Sequence, residues 1–109
     1  MPLTLSHQQT DGDAVIALDG ELDLASAPDL AELAGELVRN GADNIIVDAQ
    51  RLSFCDSSGL RILVSIANEL RPTGGRVAIV NPQPVVLRVL ELTGLDRTVM
   101  IDWDPPQGG

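Results

Sequence analysis

Two spacings of apolar residues alternate along this chain, one of strands and one of helices. Leu3-Thr4-Leu5-Ser6-His7 alternates apolar and polar positions, as a half-buried strand does. Asp11-Gly12-Asp13 then supplies a tight turn into Ala14-Val15-Ile16-Ala17-Leu18, so the spacing predicts an opening hairpin. From Leu30 the spacing changes to a helical stripe of Leu30, Leu33, Ala34, Leu37 and Val38. Ser26 reads as the cap of that helix, with Asp29 three residues on and Pro28 in the first turn, while Arg39-Asn40-Gly41 ends it.

Ile45-Ile46-Val47 is a continuous β-branched run, the pattern of a central strand covered on both faces. Leu60, Leu63, Val64, Ala67 and Leu70 return to helical spacing, with Ile62 and Ile66 widening the apolar arc, so this second helix is expected to be more buried than the first. Pro72-Thr73-Gly74-Gly75 stops it. Val77-Ala78-Ile79-Val80 reads as a strand, and Asn81-Pro82-Gln83-Pro84 opens a third helix with Val86, Val89, Leu90 and Thr93 on its stripe. Gly94 closes that helix with Leu95 packing back in the manner of a Schellman cap, and Val99-Met100-Ile101 forms a last short strand.

A hairpin followed by helix, strand, helix, strand, helix, strand predicts an α/β fold. Its small mixed sheet is parallel through the later strands by right-handed crossovers and covered by helices. Strand order is not readable from the pattern. The 109 residues read as one domain, 1–109, with its core at about 3–101 and a flexible tail at 102–109. A chain of this size buries roughly 65% of its unfolded surface, enough for a core without staples.

Composition narrows the function classes. The formal net charge is -9, and all seven basic residues are arginines. That balance opposes binding to nucleic acid or to an anionic membrane surface. Phe54 and Trp103 are the only aromatic residues, so no platform exists for stacking bases or sugar rings. A single cysteine, Cys55, permits no internal disulfide, and no signal-peptide pattern precedes the first strand, which makes a reducing cytoplasm the expected compartment. No apolar run approaches the roughly 20 residues of a membrane span.

The candidate chemistry lies at Leu52-Ser53-Phe54-Cys55-Asp56-Ser57-Ser58-Gly59-Leu60, between a strand pattern and a helix pattern. Open parallel sheets place their sites where a strand's carboxyl end meets a helix. Asp56 and Ser57 are both good helix caps, and Gly59 lets the backbone pass close to another molecule. Ser58 then falls in the first helical turn, where unpartnered N–H groups tolerate a phosphate. The same residues also suit a plain capping motif. A serine hydrolase is disfavoured: the Gly-x-Ser-x-Gly elbow is absent, and the sole histidine, His7, sits at the polar end of the first strand as a surface residue. With no lysine, a Gly-x-x-x-x-Gly-Lys phosphate loop is impossible. The chain reads as a non-enzyme with neither cofactor nor metal.

Three stretches together resemble the bacterial anti-sigma factor antagonists, stand-alone domains of the STAS class (sulfate transporter and anti-sigma factor antagonist). They are Gly20-Glu21-Leu22-Asp23 with Ala27-Pro28, then Phe54 to Leu60, then Arg88-Val89-Leu90-Glu91-Leu92-Thr93-Gly94-Leu95. The resemblance spans roughly Leu3 to Ile101. It implies a phosphoacceptor at Ser58, the second serine of Asp-Ser-Ser-Gly, and a partner-binding surface of Glu21, Asp23, Asp56, Ser57 and Gly59. It further implies an anti-sigma factor serine kinase of the GHKL type as partner and a PP2C-like phosphatase that removes the phosphate. The unphosphorylated protein, a monomer or weak dimer, would bind the kinase and release a sigma factor. For Glu21 and Asp23 the alternative role is a solvated loop, and for Asp23 also a local cap. For the whole chain, the alternative is an unphosphorylated STAS scaffold subunit docked on an ABC-transporter ATPase.

Overall fold

The computed structural model describes residues 2–102. Strands β1 (Thr4–Thr10) and β2 (Asp13–Leu22) pair antiparallel with Thr10 opposite Asp13. Asp11 and Gly12 therefore form a two-residue turn, in which Asp11 takes a φ of 54°. Helix α1 (Ala27–Arg39) leads to β3 (Asn44–Cys55), helix α2 (Ser57–Leu70) to β4 (Val77–Val80), and helix α3 (Pro84–Thr93) to β5 (Met100–Ile101). The sheet runs in the order β1-β2-β3-β4-β5, parallel from β2 onward, as the hairpin-then-crossover reading required.

Because each crossover steps to the next strand in the same direction, right-handed connections put all three helices on one face. That face carries Ala14, Ile16 and Leu18 of β2, Ile45 and Val47 of β3, and Val77 and Ile79 of β4, packed in one core with Leu30, Leu63 and Leu90 of the helices. The expectation that β3 is covered on both faces is corrected here. Ile46 points to the helix-free face, where it is shielded to 6% exposure in register with Val15 and Ala78. It lies outside the helix-side core cluster, so a continuous apolar run arises here on a sheet with its helices on one face. Six residues of α2 are buried against four of α1, as their stripes suggested.

β3 is longer than its apolar run. It continues through Cys55, and its register against β2 slips twice, so that Ala17 and Asp19 face Asp48 and Arg51, while Gly20 and Glu21 face Leu52 and Phe54. Each slip is a bulge with one extra residue on β3. The Gln50 N–H donates to Asp48 Oδ1 at 3.1 Å, and Ser53 Oγ donates to the Gly20 carbonyl at 3.0 Å. The first half of the candidate stretch, Leu52 to Cys55, is thus strand.

Ser26 does not cap α1 with its side chain, contrary to the sequence reading. Its hydroxyl is turned back into the β2–α1 loop, where Asp23 makes a tighter local turn. Pro28 does stand in the first turn, and Asn40 with Gly41 at φ 100° ends the helix. Gly94, at φ 76°, closes α3 as expected. Thr93, assigned to the apolar stripe, is exposed and donates its hydroxyl to the Val89 carbonyl at 2.8 Å. Val99 is buried but precedes β5 instead of belonging to it. At the first position of the expected tail, 102–109, the Asp102 N–H donates to the Ile79 carbonyl at 2.7 Å and its carboxylate accepts from the Asn81 N–H. Positions 103–109 of that tail lie outside the described residues.

An acidic rim with a serine pair at a helix start

The ends of β2 and β3 lie side by side, with Glu21 opposite Phe54 and Leu22 opposite Cys55. The Asp56 N–H donates to the Leu22 carbonyl at 3.1 Å, which joins the loop after β3 to the last residue of β2. Asp56 leaves the sheet in an extended conformation and caps α2: its Oδ1 accepts from the Ser58 N–H at 2.9 Å and the Gly59 N–H at 3.1 Å. A carboxylate here also complements the positive end of the helix. Ser57 is exposed and Ser58 half-buried, and neither hydroxyl is hydrogen-bonded among the described residues.

Gly59 is buried, and the backbone approach it permits is to this chain itself. A Cβ there would lie 2.6 Å from Leu22 Cγ and 3.0 Å from Cys55 Sγ. The glycine lets the first turn of α2 press against the end of β2.

Asp23 organises the neighbouring loop. Its Oδ1 accepts from the Ala25 and Ser26 N–H groups, each at 3.0 Å, and Ser26 Oγ stands at 3.1 Å. Ser26 Oγ in turn accepts from the Asp23 N–H at 2.9 Å and donates to the Glu21 carbonyl at 2.9 Å. These bonds, led by the one from the Ser26 N–H, hold the Asp23 carboxyl below its ordinary range, so it is ionised at neutral pH. Of the two roles open to Asp23, a local cap is present in the structure; as a half-exposed carboxylate it also remains accessible at the rim. The clue to the buried Ser26 was the Asp-x-x-Ser spacing, an Asx-turn pattern.

Two residues that were not singled out as partner-binding complete the surface. Leu24, between Asp23 and Ala25, is 75% exposed, and Phe54 is 45% exposed beside Glu21. The carboxylates of Glu21, Asp23 and Asp56 and the exposed apolar groups of Leu24 and Phe54 thus lie on the segments that end β2 and β3, next to the start of α2. His7 is not among them. It is exposed on β1 opposite Ile16, six residues before the end of β2, which at strand rise is roughly 20 Å of sheet away. Ser58 and His7 do not form a nucleophile and base.

Cys55 lies directly beneath this rim. Burial, and secondarily the Asp56 charge, push its thiol up to about 11, so it stays protonated and unreactive at neutral pH. Iodoacetamide at pH 8 is expected to label Cys55 only after unfolding; mass spectrometry showing rapid labelling of the native protein would contradict that placement. No helix among the described residues is long and apolar enough to cross a membrane.

Comparison with known proteins agrees with the fold. The STAS domain model matches residues 4–104. The anti-sigma-B factor antagonist of Bacillus subtilis is 30% identical over 101 residues, covering 93% of this chain and 92% of the relative. Among solved structures, the anti-sigma factor antagonist SpoIIAA in its unphosphorylated form superposes with a TM-score of 0.81 at 29% identity, covering 93% of this chain and 90% of the other. The Bacillus cell-fate determinant SpoIIAA in its phosphorylated form gives 0.73 at 28% identity, covering 93% of both chains.

Proposed function

The chain belongs to the STAS domain family, and on that premise we propose that it is an anti-sigma factor antagonist switched by phosphorylation of Ser58. Unphosphorylated, it binds an anti-sigma factor that is a serine kinase of the GHKL type, and the sigma factor is released. Phosphorylation ends that complex, and a PP2C-like phosphatase restores it. The observation that carries the reading is the unbonded Ser58 hydroxyl at the Asp56-capped start of α2, framed by acidic and apolar groups.

The kinase supplies ATP, Mg²⁺ and the base. Ser58 Oγ forms a bond to the γ-phosphorus as the bond from that phosphorus to the departing ADP breaks, and the hydroxyl proton passes to the kinase's base. This chain contributes position: Asp56 fixes the Ser58 backbone through its N–H and leaves the hydroxyl to the partner. The phosphate adds about -1.5 to -2 charge beside Asp56, Asp23 and Glu21. The helix end tolerates it locally, whereas a partner that has docked on this rim meets a new, strongly hydrated group.

The test is incubation with the candidate kinase, Mg²⁺ and ATP, followed by mapping of phosphate by mass spectrometry. Phosphate on Ser58 is expected; phosphate on Ser57 alone, or none, would overturn the assignment.

Leu24 and Phe54 have the exposure and position of docking anchors. Exposed apolar side chains beside charged rims carry a disproportionate share of interface energy. Leu24→Ala and Phe54→Ala are each expected to weaken kinase binding by at least 1 kcal/mol, or about fivefold, by calorimetry. Leu92→Ala is the control, since Leu92 is 73% exposed but lies at the far end of α3. Equal losses for all three would place the docking face elsewhere.

A further inference from the structure

We propose that Arg61 binds, within the same chain, the phosphate carried by Ser58, making the phosphorylated state a closed ion pair on the surface of α2. The inference rests on Ser58 as the phosphoacceptor and concerns what this chain does with the group once it is attached.

Ser58 is the second residue of α2 and Arg61 stands three residues further on. Residues at that spacing are surface neighbours, about 5–6 Å apart at Cβ. Helical side chains lean toward the amino end, so the Arg61 side chain is carried back over the turn that holds Ser58. A planar guanidinium offers paired donors that match phosphate oxygens.

The present state of Arg61 makes this more than spacing. It is exposed, and among the described residues it has no ion pair or hydrogen bond, whereas Arg51 meets Asp19 at 3.9 Å and the Arg76 side chain meets Met100 Sδ. The first turn of α2 holds no acidic residue, and Glu69 is eight positions away. Asp56, at the cap, already accepts two backbone N–H groups. On a chain of net charge -9, Arg61 is thus a cation without a local counterion, one turn beyond the hydroxyl to be modified. The acidic groups on the segments around this turn are Asp56 at the cap, Glu21 and Asp23 at and just after the end of β2, and Asp29, Glu32 and Glu36 on α1, which packs against α2. Arg61 is the group on α2 that offsets them.

The consequence is a phosphate held down against the helix in its dianionic form. An arginine beside it favours the more charged state and lowers the second ionisation of the phosphoserine. The experiment installs phosphoserine at position 58 during translation, so that no kinase is needed, and follows ³¹P shifts against pH. Arg61→Gln is expected to raise the midpoint by a few tenths of a pH unit, the size of an exposed helical ion pair. Arg61→Lys should fall between the two, and 1 M salt should shrink the difference. Identical midpoints for the wild-type and Arg61→Gln proteins, with unchanged circular dichroism, would overturn the inference. Should a kinase place phosphate elsewhere, the functional reading fails while this titration still answers its own question.

Discussion

Ser58→Ala is expected to take up no phosphate and to remain bound to the kinase in Mg²⁺ and ATP, under conditions that release the wild-type chain. The hydroxyl makes no hydrogen bond among the described residues, and the helix cap depends on Asp56 and the backbone, so the substitution removes the acceptor with little effect on the fold. Ser58→Glu places a permanent carboxylate among Asp56, Asp23 and Glu21. Charge that docking must desolvate costs a few kcal/mol, so binding should fall at least tenfold, equivalent to about 1.4 kcal/mol. Ser57→Ala should still take up phosphate and leave the kinase in ATP, because its more exposed hydroxyl is not the acceptor. Calorimetry or pull-down with and without ATP reads all three. Equal binding by the alanine and glutamate variants would remove the switch.

Gly59→Val should be the most damaging substitution in the stretch for stability. The new Cβ would lie 2.6 Å from Leu22 Cγ, and Leu22 is fully buried, so neither side chain has room to give. Overpacking of this kind costs about 1–3 kcal/mol, while the helix propensity recovered on losing glycine is at most about 1 kcal/mol and smaller in a first turn. A melting temperature lower by roughly 10 °C is expected for a domain of this size. Gly59→Ala should fall between valine and wild type, since it keeps the clash but regains more propensity. A valine variant as stable as wild type would show that α2 does not press on β2 at this point.

These two residues also mark what could be read from the amino acids. The hairpin, the three helices and the strand at Val77 were legible because their apolar positions keep a regular period. The second half of β3 was not, because its buried residues fall at Ala49, Leu52 and Cys55, a spacing of three that matches no single strand template. Ser26 was misassigned because capping serines and Asx-turn serines share the same local neighbours; only the Asp23 contacts separate them. Gly59 looked like an opening toward a partner, and its contact with Leu22 depends on pairing between β2 and β3 that no local pattern encodes. Glu21, Asp23 and Asp56 were named from the amino acids alone, yet the exposure of Leu24 and Phe54 needed the fold.

The pair of bulges in β3 has a meaning for the chain's evolution. Side chains on a strand alternate, so one surplus residue inverts every position that follows, and a second restores the original parity. Val47 and Ala49 face the core, Leu52 does so because of the first insertion, and Cys55 because the second restores the original parity. The orientation of everything downstream, Asp56 and Ser58 included, therefore rests on the pairing of Leu52 with Gly20 and of Cys55 with Leu22. Sequence drift can alter the exposed letters of that segment and can remove a surplus residue at a bulge, provided that Leu52 stays level with Gly20 and Cys55 with Leu22.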